Sequence, residues 1–486
     1  MVQLCNKDKC RLFNKNASDG RRYHRRVKHQ ENKNELSNMK NVFFLILLSL
    51  TFSYCNNSNG KKEVAVDVTT DTAQKSSATI MATNIDMLKN IIVYDVFSPP
   101  VASRIYAYAS LAQYEAIRFN DTSFVSFTAK LNGFDAIPQP VAGTPYNYTV
   151  AAVKAFATMA ENVIFNKDSL RFYTDNTLNT LSLVTSKEVF NRSVQLGDSI
   201  GKIIWKRASK DFYKESRGMA KYTVERTEEK WQPTPPDYMD AVEPWWNKIK
   251  PLALDSCNQC APAAPHSYSD KKESPFFKEA LIVYKTANNL SDSLKSIATF
   301  WDDNPFVMNH SGHAAYATKK MTPGGHWIAI AAKACRNTRA NEVKTAQAFA
   351  LTSVALLDAF ISCWDEKYRS QTVRPITVIN KYLNPTWQPF LQTPPFPEYP
   401  SGHSIISASA AVVLTHLFGS QFNFKDSSEL EYQGVVRSFP SFYAAANEAG
   451  ISRFYGGIHF MNAINKGSAQ GKEVGRIVLK KLGLDK

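Results

Sequence analysis

Three short segments in the C-terminal third bring together permanent cations, a glycine turn and two histidines. They are Lys367-x6-Arg374-Pro375, Pro400-Ser401-Gly402-His403 and Ser452-Arg453-x5-His459. Two like charges ~4 Å apart near a protein surface repel by about 4 kcal/mol, so three cations gather only around something strongly anionic. A tetrahedral oxyanion such as phosphate or vanadate is the expected guest. Arg374 offers a planar fork suited to two of its oxygens at once. Ser401 and the Gly402 N–H precede an apolar helical stretch, Ser404 to Leu417, and a helix start favours an anion. His403 and His459 add groups able to move a proton or donate a lone pair.

Each segment alone has an ordinary explanation. Lys367 closes a helix and could simply complement the negative end of its dipole. Ser401 is a common N-cap, and a histidine before Phe460 is most often a satisfied core residue. All three segments in order outweigh those readings. Asn309-His310-Ser311-Gly312-His313 and Pro323-Gly324-Gly325-His326 mimic the glycine turn, but no Lys-x6-Arg-Pro segment precedes either. They therefore read as rim or structural features. Asp302 and Asp303 read first as helix termination and second as groups that could orient a catalytic histidine.

These residues need a rigid frame, and the periodicity says that it is helical. Ser103 to Arg118, Thr149 to Phe165, Lys187 to Lys206, Phe276 to Asp302, Ala340 to Lys367 and Ile464 to Leu482 carry apolar residues at three- and four-residue intervals. Strand-like alternation is scarce. Prolines from Pro233 to Pro265 break the pattern. The expected fold is all-α and four-helix-bundle-like. Two helical halves, 83–245 and 276–486, are joined by a Pro-rich loop at 246–275, and the second half holds the chemistry.

The net charge of +15 suggests nucleic acid at first, but residues 1–38 carry ten Lys/Arg against four Asp/Glu. That stretch reads as a non-native or disordered basic extension. The +8 left for residues 55–486 suits an enzyme with an anionic ligand and needs no nucleic acid. Residues 39–55 read as a lipoprotein signal peptide, with Met39 the true start. Met39-Lys40-Asn41 is basic, Val42 to Phe52 is apolar but too short to span a bilayer, and Cys55 follows. Residues 56–82 read as a flexible tether. The expected location is the bacterial cell envelope, periplasmic or outer-membrane-anchored, with membrane contact only through lipid on Cys55. No helix after residue 55 is expected to have an uninterrupted apolar stretch of spanning length. Cys257 and Cys260 are expected to form a disulfide in that oxidising compartment, and Cys335 and Cys363 to be buried thiols.

The three segments, in this order, resemble the superfamily of vanadium-dependent haloperoxidases and type 2 phosphatidic acid phosphatases. The chain is most similar to bacterial haloperoxidase-like lipoproteins over roughly residues 275–486. The resemblance implies that Lys367, Arg374, Ser401, Gly402 and Arg453 hold vanadate, with phosphate able to occupy the same site. It makes His459 the axial ligand to vanadium or the phosphate nucleophile, and His403 the general acid–base. Lys367 would also polarise peroxide. Trp364 and Phe396 match aromatics that line the pocket in chloroperoxidase-like members. The implied activity is oxidation of halide by hydrogen peroxide to hypohalous acid. The alternatives are an acid phosphatase, hydrolysing phosphate esters through a phosphohistidine, and a non-catalytic oxyanion-binding lipoprotein. Members often carry Asp four residues after the motif histidine, where this chain has Ala463. A nucleophilic histidine needs a carboxylate to hold its tautomer, so the gap favours vanadate binding.

Overall fold

Helix caps and apolar faces account for nearly all the regular structure in this computed structural model, which describes residues 68–485. The expectations for residues 1–55 lie outside them. The first half contains α1 (Val68–Tyr94), α2 (Pro99–Ile117), α3 (Tyr148–Ala160), α4 (Lys167–Ser182), α5 (Lys187–Ala208) and α6 (Tyr213–Arg217). The second contains α7 (Pro275–Ala287), α8 (Asp292–Phe300), α9 (Pro323–Thr338) and α10 (Glu342–Ser370). It continues through α11 (Pro375–Tyr382), α12 (Gly402–Phe418), α13 (Leu430–Gln433), α14 (Phe442–Tyr455) and α15 (Met461–Leu482). Two antiparallel hairpins interrupt it, β1 (Met308–Ser311) with β2 (Ala314–Ala317), and β3 (Phe424–Asp426) with β4 (Arg437–Phe439). The all-α expectation holds.

Two boundaries differ from the sequence reading. α1 starts at Val68, inside the stretch assigned to the tether, and buries Met81 and Ile85 in the core. The periodic run from Phe276 to Asp302 is two helices, because Ser291 starts a new one by accepting from the Leu294 amide at 3.4 Å.

α10 organises the molecule. It packs against α1 and α2 of the first half and against α9, α12 and α15 of the second. By length and composition it is apolar enough to cross a membrane, although Asp358 interrupts its apolar run. However, 94% of its most apolar stretch is buried inside the protein. A single hydrophobic cluster runs from Met81 to Leu482, so the two halves share one core. Asp358 on α10 ties down the Pro-rich loop by accepting from the amides of Leu252, Ala253 and Leu254 at 2.7–2.8 Å. Nearby, Cys257 and Cys260 are free thiols and not the expected disulfide. Cys257 Sγ donates to Asp365 at 3.4 Å, while Cys260 packs into the core. Cys335 and Cys363 are buried thiols, as expected.

α15 lies unusually close to α12. A Cβ at Gly471 would fall 2.2 Å from the Ile405 carbonyl oxygen, and one at Gly467 would fall 2.9 Å from that of Ser401. Glycine is therefore required at both positions, and the close contact fixes where α12 begins. That beginning is the Ser401-Gly402-His403 turn.

Candidate active site

The three segments meet. Trp364, Phe396, Gly402, His403, Arg453 and His459 line one pocket, and Lys367, Arg374 and Ser401 lie immediately behind that lining. Lys367 comes from the last turn of α10, Arg374 from the N-cap of α11 and Arg453 from the last turn of α14. Ser401 caps α12, its Oγ accepting from the amide of Ser404 at 3.4 Å and from its hydroxyl at 2.9 Å. The Ser401 amide donates to the Ala463 carbonyl at 3.1 Å. A larger groove of about 970 Å³ lies between α1 and α9, away from these groups.

All three cations are buried, Lys367 and Arg374 completely. Backbone carbonyls replace the water they lose. Lys367 Nζ donates to Pro397, Glu398 and Pro400 at 2.9, 3.0 and 2.6 Å. The resemblance gives Lys367 a direct contact to the oxyanion, yet here all three of its N–H groups are engaged, so such a contact requires exchanging a carbonyl. Burial pulls Lys367 down to about 7, with Arg374 adding to the fall against Cys363 and Glu398. Arg374 donates through Nε to Phe396 and through Nη1 to Ile458, each at 2.9 Å, and its Nη1 reaches His459 Nε2 at 3.2 Å. Arg453 Nη1 donates to the Trp301 carbonyl at 2.7 Å, while its buried Nε has no partner. His403 Nε2 is likewise buried without a partner. An orphaned donor on a cation and an unpartnered imidazole nitrogen, beside two further buried cations, fit an absent oxyanion.

The structure supplies a carboxylate that the sequence reading judged missing. His459 Nδ1 lies 2.7 Å from Glu398 Oε1, and that same oxygen accepts from the Phe460 amide at 3.0 Å. An oxygen already accepting one N–H acts as acceptor for the other, which puts the ring proton on Nδ1 and leaves Nε2 with the lone pair, which accepts from Arg374 Nη1 at 3.2 Å. Burial, then Arg374, Lys367 and Arg453, hold His459 well below its ordinary value, so the ring is neutral. Ala463 is fully buried with its carbonyl occupied, and Glu398 performs the orienting task from another loop. A carboxylate therefore does hold the histidine, and Ala463 does not favour vanadate over phosphate. Glu398 sits two residues before Pro400, inside the loop Thr393 to Tyr399. A lone acid among prolines and aromatics was the signal that could have found it.

His403 is neutral too, held well below its ordinary value by burial and then by Arg453. The carboxylate facing it is Asp303, 3.8 Å from Nε2, whereas Asp302 pairs with Lys320 at 2.5 Å and faces Arg453 at 3.7 Å. Behind Asp303 lies His326, which is the structural and not the rim feature of the two expected, being fully buried. Its Nδ1 is 3.1 Å from Asp303 and its Nε2 2.9 Å from Asp426, with Glu429 at 3.7 Å and Trp301 stacked on the ring. Asp303, His326 and Glu429 hold ligand-type atoms within 4.8 Å of one another. Carboxylates on both ring nitrogens make His326 an imidazolium, however, which has no lone pair for a metal.

Burial opposes the charge on His326, but Asp303 and Asp426 outweigh it and raise the ring well above its ordinary value. Its stabilising contribution is full below ~6.5, the unfolded value, and is lost as pH rises through the folded value. His326→Gln should cost on the order of 3–5 kcal/mol near neutrality, because buried carboxylates lose their cation. It should also flatten the alkaline-side fall of the melting temperature. Calorimetry across pH checks both, and an unchanged alkaline slope would contradict the assignment.

The match to known proteins agrees with this geometry. Residues 347–483 match the family model described as the VCPO second helical-bundle domain. A solved bacterial vanadium-dependent iodoperoxidase is 43% identical, covering 83% of this chain and 96% of its own, with a TM-score of 0.78. This chain belongs to the vanadium-dependent haloperoxidase family. A holo bacterial vanadium-dependent chloroperoxidase, 16% identical over 81% of this chain and 94% of its own, shares the fold with a TM-score of 0.64. Its apo form, 17% identical over 79% and 94%, does so at 0.62. No curated protein matches the chain. The family's helical fold extends over the first half as well, where the sequence alone offered only general helical character. That half reaches the pocket through Pro99, at the start of α2.

Proposed function

We propose that the chain is a vanadate-dependent haloperoxidase that oxidises halide with hydrogen peroxide to hypohalous acid. The observation that carries it is a neutral histidine, His459, aimed by Glu398 into a buried cationic pocket. It stands in a chain 43% identical to a bacterial iodoperoxidase. Iodide is the halide that likeness favours. Bound vanadate would supply Lewis acidity toward peroxide without redox change of its own.

The chain's residues do the rest. His459 would offer Nε2 to the metal in exchange for its bond from Arg374. Arg374, Arg453 and the Gly402 amide at the start of α12 face the oxyanion charge, and Ser401 shapes that turn. His403, neutral with an unoccupied Nε2, takes and returns the proton of incoming peroxide, and Asp303 stabilises the cation formed on it. Pro99, Phe306, Phe360, Trp364 and Phe396 keep bulk water out.

A second reading rests on one observation. The pair of Glu398 and His459 would also orient a nucleophilic histidine for phosphoryl transfer. Phosphate-stripped protein, assayed with and without orthovanadate, separates the two. Iodide oxidation that appears only with vanadate is the expected result. Release of phosphate from a chromogenic monoester, inhibited by vanadate, would replace the assignment with the phosphatase.

A further inference from the structure

The pocket holds one donor that the oxyanion leaves unexplained. Asn304 follows Asp302 and Asp303 in the turn after α8, and only 5% of it is exposed. Its Oδ1 accepts from the Phe306 amide at 3.0 Å, closing an Asx turn. That bond distinguishes the two ends of the side chain. The oxygen is turned back to its own backbone, and the NH2 group points elsewhere. Nδ2 is buried and has no hydrogen-bond partner. Asn304 lines the same pocket as His403, Arg453 and His459.

A buried amide NH2 without an acceptor is costly and rare, so it marks a place where an acceptor arrives. Among the described residues none bonds to Nδ2. The one carboxylate in the lining, Asp303, is held by His326, and most of the other walls are apolar or aromatic. The arriving group must therefore be an electron-rich guest that tolerates such walls. A tetrahedral oxyanion already has the cations and the helix start. A halide needs less. It is a single large atom, weakly hydrated, that accepts N–H bonds with little directional demand and sits comfortably against apolar surface.

We propose that Asn304 Nδ2 is the N–H donor that seats the halide. The inference rests on the haloperoxidase reading and deepens it by naming the substrate subsite. A neutral donor suits this position, because another fixed cation would bind halide while competing for the oxyanion. Neutrality lets the halide approach without displacing that larger anion.

Two variants test it. Asn304→Asp keeps the size of the side chain and an oxygen for the Phe306 amide, but replaces the donor with an anion. Asn304→Ala removes the donor without adding charge. The loss of one net hydrogen bond should raise the halide KM of the alanine variant about tenfold. The aspartate variant should rise further. Peroxide KM and vanadate affinity of the alanine variant should stay close to wild type. In crystals of vanadate-loaded wild type soaked with iodide, the anomalous signal should touch Nδ2, and it should vanish in the alanine variant. Melting curves of both variants establish that they fold.

A halide KM unmoved in both variants, in an enzyme that halogenates, overturns the inference alone. So does a fall in vanadate affinity of the alanine variant with halide KM unchanged, which would make Asn304 an oxyanion contact. Wild-type protein that oxidises no halide would overturn the haloperoxidase reading and this inference with it.

Discussion

Replacing His459 by alanine should abolish vanadate-dependent halide oxidation and weaken vanadate binding by more than the ~10–100-fold that follows loss of a supporting residue. The ring is the one neutral nitrogen ligand facing the cationic wall of the pocket with its lone pair already oriented. Nδ1 is committed to Glu398 at 2.7 Å, and Nε2 lies beside Arg374 at 3.2 Å. His403 cannot replace it, since it projects from the first turn of α12. The cations should survive the change. Arg374 keeps its bonds to the Phe396 and Ile458 carbonyls, and Lys367 keeps its three. The variant should therefore still attract an oxyanion electrostatically while failing to coordinate the metal. Vanadium NMR or equilibrium dialysis reads the binding, independently of turnover. Unchanged vanadate affinity, or full activity, would remove His459 from the site.

Much of this was legible because the signals are local. Helix starts announce themselves through caps such as Asn341 and Ser401, and helix faces through apolar spacing. The three motif segments carry their own glycine, proline and arginine chemistry, and they do converge. What escaped is nonlocal. Asp426 and Glu429 reach His326 from a hundred residues downstream, so a glycine-turn histidine that looked like a decoy proved to be the buried cation behind Asp303. Glu398 lies 61 residues before the histidine it orients and not four residues after it, where fully buried Ala463 stands. The engagement of Lys367 by three carbonyls depends on the path of the loop from Pro397 to Pro400, which no spacing encodes. Free thiols at Cys257 and Cys260 follow from where the Pro-rich loop docks on α10, another tertiary fact.

Glu398→Gln is the sharper test of how the histidine is controlled. Glutamine preserves volume in a fully buried position and keeps one oxygen to accept. The Phe460 amide pins that oxygen, because turning the NH2 group toward it would set two donors face to face. With the oxygen pinned, His459 Nδ1–H still has an acceptor and the useful tautomer persists. What disappears is the negative charge of the carboxylate set against Lys367, Arg374 and the ring. Burial outweighs the opposing pull of Arg374, the Phe460 amide and Lys367 and leaves Glu398 at about 8, so the comparison is made above that pH, where the carboxylate is charged. The neutral amide makes Nδ1–H a weaker donor partner and Nε2 less basic. Vanadate affinity should fall by roughly 10–100-fold, the range for a lost supporting carboxylate. Glu398→Ala should lose more, since it also frees the tautomer and leaves the Phe460 amide buried without an acceptor. The order wild type, glutamine, alanine in vanadate affinity is the expected result. If glutamine matched wild type, charge would be irrelevant and the tautomer alone would matter. If glutamine fell as far as alanine, the Phe460 amide would not be holding the oxygen in place.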